Sequence, residues 1–262
     1  MAKTGKAQQN GTTAIHLLVG DDFFSTAKAK QLLDAAVPEA EQTFGVEIID
    51  ANAPTIEETL KAIRRCRESV ETVSFFSARR AVWLRNISFL QMKPPGSTAD
   101  VKKALEAFAQ SLAKGLPPGI TLVMTAPAAD KRLAFVKACG EFAQIEDFSL
   151  PAKSGFGDQR AVRELIAAAF KQAGLTIGGE ALEVFQQRVA PDPRQIYSEV
   201  EKLLCYRGKG KTGPVTLAEI DAVISATAEA AVWDLEDAFG NRQLSRCLAL
   251  LRQLLFQKEQ PV

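Results

Sequence analysis

The 262 residues include 32 Lys and Arg against 31 Asp and Glu, a net charge of +1, with 47% of the composition hydrophobic. That is chain enough for two domains and part of a third, and it is too apolar for a disordered protein. The balanced charge excludes a global field that would draw the molecule to nucleic acid or an anionic membrane, so any DNA contact has to come from local patches.

The opening MAKTGKAQQNGTT is polar and lacks the apolar core of a signal peptide, and no apolar run approaches the ~20 residues of a membrane span. A cytoplasmic protein without a membrane partner is expected. From there to about residue 150, short runs rich in Val and Ile alternate with helical patterns. IHLLVG (15–20), VEIIDA (46–51), RAVWLRN (80–86), ITLVMT (120–125) and AQIEDF (143–148) read as five strands. Helices are expected over 25–36, 56–70, 100–113 and 131–139, with Ile56, Leu60, Ile63 and Val70 on one stripe and Asp100 as the N-cap of the third. Alternation of this kind argues for an α/β fold, a doubly wound, parallel, five-stranded sheet covered on both faces.

Past LPAKSGFGDQ the strand signals stop. Helices are expected at about 159–173, 179–189, 193–206 and 216–226, the last with Thr216 and Glu219 at capping-box spacing. The pattern changes again from Glu229, with two further helices over 232–239 and 244–256. The division is therefore 1–150, 151–228 and 229–262. The last of these carries LALLRQLLF, an apolar surface that two helices alone would not bury.

An α/β domain followed by a small helical one is the layout of AAA+ nucleotide-binding proteins, which makes the first strand-to-helix turn the place to look for a phosphate cradle. A P-loop there reads GxxxxGK[ST], with glycines that let backbone amides wrap the phosphates, a lysine for the terminal phosphates and a hydroxyl for magnesium. This chain reads GDDFFSTAK. Gly20 is retained, but Asp21 and Asp22 bring negative charge where phosphates need amides, and Lys28 comes too late. The third strand ends in Arg85 and Asn86 instead of the acidic residue that would hold magnesium through water. Gly20, Asp21, Asp22 and Arg85 thus mark a degenerate nucleotide site predicted not to bind ATP.

No other catalytic constellation appears, so neither catalytic residues nor a cofactor is assigned. His16, alone of its kind, lies inside the first strand and is expected in the core. The acidic pairs Asp21-Asp22 and Glu57-Glu58 suit helix starts. Cys66, Cys139, Cys205 and Cys247 are scattered without a CxxC pair, which argues against zinc; three of the four sit on apolar helical faces, as expected of buried reduced thiols.

The segments IHLLVGDDFF, FGVEIIDA, SFFSARRAVWLRN, LPPGITLVMTAPAADKRLAFVKAC, DPRQIYSEVEKLL and AVWDLEDAFGNR, in this order from about residue 15 to 256, resemble the delta subunit of the bacterial DNA polymerase III clamp loader. The resemblance implies an AAA+-like α/β domain without ATPase motifs, a helical lid over 151–228 and the beginning of a helical collar from 229, so that the chain looks truncated. It implies a non-catalytic role in DNA replication: binding and opening the sliding clamp, the beta subunit, within a loader whose tau/gamma ATPase subunits and delta-prime are the other partners, with DNA met through the assembled complex. The clamp-binding plug of the family corresponds to Ser74, Phe75, Phe76, Ser77 and Ala78, with Phe-Phe where many relatives carry Leu-Phe.

The helical stripe ending near Val70 leaves Phe75 and Phe76 beyond the part that packs on the sheet. Arg194 stands where AAA+ lids carry a nucleotide-sensing arginine, and here suits a structural or subunit-facing role. Basic groups at Arg64, Arg65 and Arg67, at Lys131 and Arg132, and at Arg207, Lys209 and Lys211 suit DNA phosphates and solvated faces equally. Two other readings stay open, a divergent P-loop NTPase and a delta-prime-like scaffold that does not bind the clamp alone.

Overall fold

A computed structural model describes residues 14–72, 79–149, 159–189, 192–208, 212–224, 235 and 238–259. The chain divides into two compact units, Met1–Leu150 and Pro151–Val262.

In the first unit, β1 (Ile15–Gly20), β2 (Val46–Asp50), β3 (Arg80–Arg85), β4 (Ile120–Ala126) and β5 (Gln144–Phe148) form one sheet in the order β2-β3-β4-β1-β5. All pairings are parallel. Because successive side chains alternate across a strand, the sheet presents two apolar faces. Leu17, Val19, Ile49, Val82, Leu84, Leu122 and Met124 share one core with α3 (Ile56–Glu71), α4 (Ala99–Ala113) and α5 (Ala134–Phe142). Leu18, Trp83 and Val123 face α1 (Asp22–Ala36) through Ala29 and Leu33. A short 3-10 turn, Glu39–Glu41, and α2 (Gln42–Gly45) lead into β2. The doubly wound α/β expectation holds.

Burial follows strand position. β1 is buried along its whole length, whereas the edge strands β2 and β5 expose Ile48 and Ile145. His16 is buried within β1 at 3% exposure.

Several helix boundaries differ from the sequence reading, each for a local reason. α1 starts at Asp22, three residues earlier than expected, because Asp21 caps it. Asp100 is not the N-cap of α4; Thr98 holds the extended N-cap position, and Asp100 lies in the first turn, where its charge still complements the helix dipole. α5 runs Ala134–Phe142 instead of 131–139, because Asp130 accepts the Arg132 amide at 2.9 Å and grips its guanidinium, holding the preceding residues in a turn. Thr55, not an acidic residue, caps α3, in a capping box with Glu58.

The second unit contains α6 (Gln159–Gln172), α7 (Gly179–Arg188), α8 (Pro193–Arg207), α9 (Leu217–Val223) and α10 (Leu244–Glu259). Its core gathers Ile166, Phe170, Phe185, Ile196, Val200, Leu203 and Ile220, with the Phe170 and Phe185 rings edge to face at 5.2 Å. The capping box of α9 joins Thr216 and Glu219 as expected, although the helix ends at Val223. A single parallel bridge, Ile177 to Val215, is extended pairing that the sequence did not signal. Of the expected helix over 232–239, residue 235 and the start of the turn at 238–240 are helical, and the rest lies outside the described residues. α10 exposes Leu244, Leu248, Leu251 and Leu255.

The thiols separate into two kinds. Cys66 and Cys139 are buried, Cys247 is partly exposed, and Cys205 is exposed, so the expectation of buried thiols fails for Cys205. It sits on α8 beside exposed Leu204 and Tyr206, on the face turned from the core.

Candidate functional site

The strands of a parallel sheet end together, and β1 and β4 end beside each other at the point where the chain order along the sheet reverses, the usual place for a ligand crevice. A cavity of about 240 Å³ lies there, lined by Gly20, Asp22, Ser25, Asn52, Asn86, Ser88, Thr125, Ala126 and Pro127. Ser25, Asn52, Asn86, Ser88 and Thr125 contribute neutral hydroxyls and amides, while most of its exposed wall is apolar.

Gly20 is required here for a reason unconnected with phosphate. Its φ is +117°, and an added Cβ would stand 2.3 Å from the Ser149 nitrogen and 2.4 Å from the Phe148 carbonyl carbon. Close passage of the β5 end thus selects glycine. The Asp21 amide donates to the Phe148 carbonyl at 3.1 Å, which ties the turn to the same strand end.

Asp21 Oδ1 then accepts the Phe23 amide at 3.0 Å and the Phe24 amide at 3.4 Å. These are N-terminal helix amides of the kind a phosphate uses in a P-loop. The chain's own carboxylate occupies them. Asp22 follows in the first turn, with its Oδ1 accepting the Thr26 hydroxyl at 3.1 Å. Lys28 lies within 3.8 Å of Glu146 Oε2 on β5, in a partly exposed ion pair.

Gly20 and Asp22 line the cavity, whereas Arg85 is not among its lining residues. Its guanidinium stands 3.7 Å from Asp50 Oδ2 at the end of β2 and 5.8 Å from the centre of the Trp83 ring. The next residue, Asn86, turns the chain at φ 59° and takes the place beside the cavity. Thr125 Oγ1 accepts both Trp83 Nε1–H at 3.2 Å and the Asn86 amide at 3.3 Å. Ser88 Oγ accepts the Ala53 amide at 3.1 Å. Asn52, Ser88 and Thr125 escaped the sequence reading; their signal was position alone, at or just after the carboxyl ends of strands.

Ser74, Phe75, Phe76, Ser77 and Ala78 lie outside the described residues. The two ends of their segment are described. α3 closes at Glu71, with Thr72 as its C-cap, and β3 opens at Arg80. Arg80 Nη1 donates to the Thr72 carbonyl at 3.1 Å, and Arg80 Nη2 lies 2.6 Å from Glu47 Oε2. The same carboxylate accepts Ser69 Oγ at 2.9 Å and Arg65 at 3.2 Å. Burial by itself would raise the Glu47 carboxyl, but hydrogen bonds from Ser69, Arg80 and Arg65 outweigh it and leave the group lowered.

The basic groups are largely occupied. Arg65 is bonded to Glu47, Arg67 stands 3.7 Å from Glu71, and Arg132 is paired with Asp130. Arg207 must be withdrawn from the DNA-facing candidates: its side chain is 3% exposed and 3.3 Å from Glu219 Oε1, which is 6% exposed. Its Nη2 also donates to the Gly213 carbonyl at 3.0 Å. Lys209 and Lys211 lie outside the described residues. Arg194 is exposed in the first turn of α8, which Asp192 caps through the Gln195 amide at 3.0 Å. Among the described residues no cluster of three or more His, Cys, Asp or Glu could hold a metal ion, and no helix is long and apolar enough to cross a membrane.

A five-stranded parallel sheet with flanking helices, a crevice at the β1–β4 ends and helical elements later in the chain define a doubly wound α/β protein with a helical second unit. The sequence model of the family described as "DNA polymerase III, delta subunit" matches residues 16–145. The DNA polymerase III subunit delta of Bacillus subtilis (strain 168) is 24% identical over 260 residues, spanning 95% of this chain and 67% of its own. The solved structure of the Bacillus subtilis DNA clamp loader delta protein superposes with a TM-score of 0.67 at 21% identity, over 95% of this chain and 69% of that one, which shows the shared fold. Over residues 16–145, within its α/β unit, the chain is thus similar to the DNA polymerase III delta-subunit family.

Proposed function

We propose that this chain acts as a clamp-loader delta subunit, binding the sliding clamp through Ser74–Ala78 and opening it without turning over ATP itself. The observation that carries the reading is the delta-family match across residues 16–145, a span that includes the whole of that segment. Phe75 and Phe76 supply the anchors. Each aromatic side chain moved from water into a partner's pocket contributes about 1.5–3 kcal/mol, and such residues are common interface hot spots.

The absence of ATP turnover is supported by the first strand-to-helix turn. Asp21 holds the amides that a phosphate needs, and its charge opposes a polyphosphate. The partners on this reading are the beta clamp, the tau/gamma ATPase subunits and delta-prime, with residues 151–228 as lid and 229–262 as the start of the collar, and a cytoplasmic location. DNA is met through the assembled loader.

Replacing both Phe75 and Phe76 by Ala tests the site. Clamp binding measured on a biosensor should weaken by at least about tenfold, the scale of hot-spot losses. Unchanged affinity would remove the site assignment. One observation favours a second reading, a divergent P-loop NTPase: the cavity of about 240 Å³ at the strand ends is where nucleotides bind in related folds. Equilibrium dialysis with magnesium and ATP separates the two, since micromolar ATP affinity belongs only to the NTPase. A delta-prime-like scaffold would join the ATPase subunits yet fail to retain the isolated clamp.

A further inference from the structure

The cavity at the carboxyl ends of β1 and β4 carries hydrogen-bonding capacity that the fold itself does not consume. Thr125 is 4% exposed, and its Oγ1 accepts Trp83 Nε1–H at 3.2 Å and the Asn86 amide at 3.3 Å. Both lone pairs are thereby used, and the hydroxyl proton is donated to no described residue. Thr125 is therefore a pure donor at the cavity wall. A buried donor is costly unless it finds an acceptor, so this one calls for an oxygen or nitrogen atom inside the cavity.

The other lining groups widen that capacity. Asn52 and Asn86 follow the ends of β2 and β3, and their side-chain amides hydrogen-bond to no described residue, so each offers a carbonyl oxygen and an NH₂ group. Ser25, 2% exposed, adds a hydroxyl whose bond to the Asp22 carbonyl is long, at 3.4 Å. Ser88 is committed to the fold, accepting the Ala53 amide at 3.1 Å and lying within 3.4 Å of the Ala51 and Ala53 carbonyls. A few hydrogen-bonding groups set in a largely apolar wall are the usual composition of a small-molecule site.

Charge decides the class of occupant. Asp22 is the one charged side chain among the described lining residues. Lys28 is paired with Glu146 at 3.8 Å and Arg85 with Asp50 at 3.7 Å, and neither is among that lining. A phosphate there would meet a carboxylate with no lining cation to offset it. An uncharged ligand avoids that cost, and its hydroxyls match the acceptor oxygens of Asp22, Asn52 and Asn86, as acidic side chains match ribose hydroxyls in dinucleotide-binding folds. At about 240 Å³ the cavity falls below the ~300–1,000 Å³ of drug-sized pockets, which limits the occupant to a sugar ring or a nucleoside.

We propose that this cavity binds an uncharged polyhydroxyl ligand, a nucleoside or monosaccharide without phosphate, with Thr125 donating to one of its oxygens and Asn52, Asn86 and Asp22 holding its hydroxyls. The site is independent of clamp binding, so the loss of that reading leaves it intact.

The test is saturation-transfer NMR and calorimetry on the full chain with adenosine, guanosine, cytidine, uridine, ribose and glucose, and with the monophosphate of each, up to about 10 mM. At least one unphosphorylated ligand should bind, and its monophosphate should bind at least about tenfold more weakly. The nucleoside and sugar arms tell the two sources apart. Asn52→Ala should weaken binding about fivefold or more with unchanged thermal unfolding, because that side chain makes no bond to a described residue. Thr125→Val should weaken it at least as much; its melting curve shows whether it folds, and Asn52→Ala decides if it does not. Arg132→Gln, outside the lining, should bind as wild type does. Binding by none of the unphosphorylated ligands overturns the proposal. So does a monophosphate that binds as tightly as its parent, a result that would favour the NTPase reading, and so does wild-type affinity in Asn52→Ala.

Discussion

The carboxylate of Asp21 sits 3.0 Å from the amide of Phe23, in the position where a P-loop would hold a phosphate oxygen. An N-cap and an anion site draw on the same set of donors, and here Asp21 takes them as an N-cap. Removing the cap by Asp21→Ala should cost about 1 kcal/mol of stability, read as a lower urea midpoint with an unchanged slope.

Gly20 makes a sharper prediction. Its φ of +117° and the backbone of Phe148 and Ser149 within 2.4 Å of a would-be Cβ leave no room for any side chain. Gly20→Ala should destabilise the first unit by more than about 2 kcal/mol, twice the Asp21→Ala effect or more, because the obstruction is backbone that cannot rotate away. Urea unfolding of the two variants side by side checks the ranking.

The four thiols should separate by reactivity. Burial pushes Cys66 up to about 12, with the Glu47 charge adding to it, and burial pushes Cys139 up to about 12 as well. At pH 8 both stay protonated, and only the thiolate attacks a disulfide reagent. Exposed Cys205 should therefore be labelled first, with Cys66 and Cys139 reacting only as the fold opens; mass spectrometry of a labelling time course gives the order.

Glu47 sets a pH dependence whose sign follows from its lowered carboxyl. Burial opposes the charged form, but the Ser69, Arg80 and Arg65 hydrogen bonds prevail, so the folded state holds the proton less tightly than the unfolded chain, whose carboxyl titrates at 4.5. The stabilisation is complete above that unfolded value and is lost as pH falls through the lower folded one. The stability gap between wild type and Glu47→Gln should be constant from pH 8 to about pH 6 and shrink through the acid range.

In the second unit, Glu219→Ala should cost about 3 kcal/mol or more, since it strands the Arg207 charge at 3% exposure and removes half of the α9 capping box. Circular dichroism melting would show the loss. Arg207→Met, which removes the charge while keeping much of the volume, isolates the uncompensated charge when paired with Glu219→Ala: the double variant should be more stable than Glu219→Ala alone.

Much of this was written locally. The alternation of Val- and Ile-rich runs with helical stripes announces β1 to β5, and GDDFF shows a first turn that departs from the P-loop pattern, because strand, helix and cap signals need only neighbours within a few residues. Thr216 and Glu219 spell their capping box at the required spacing. Where local rules competed, adjacent polar residues misled: Asp100 looked like a cap although Thr98 held the position, and Asp130 captured Arg132 and delayed α5.

The amino-acid order alone determined the class of fold, the family resemblance and the loss of the nucleotide signature, all of which depend on short-range pattern. Only the folded molecule decided that Gly20 answers to Phe148, that Arg207 is interior, that Asn52, Ser88 and Thr125 share one cavity, and that Arg80 spans from Glu47 to Thr72. Several of those partners stand tens to more than a hundred positions apart. They meet because strands from distant stretches lie side by side in the order β2-β3-β4-β1-β5, an arrangement set by burying two apolar sheet faces at once.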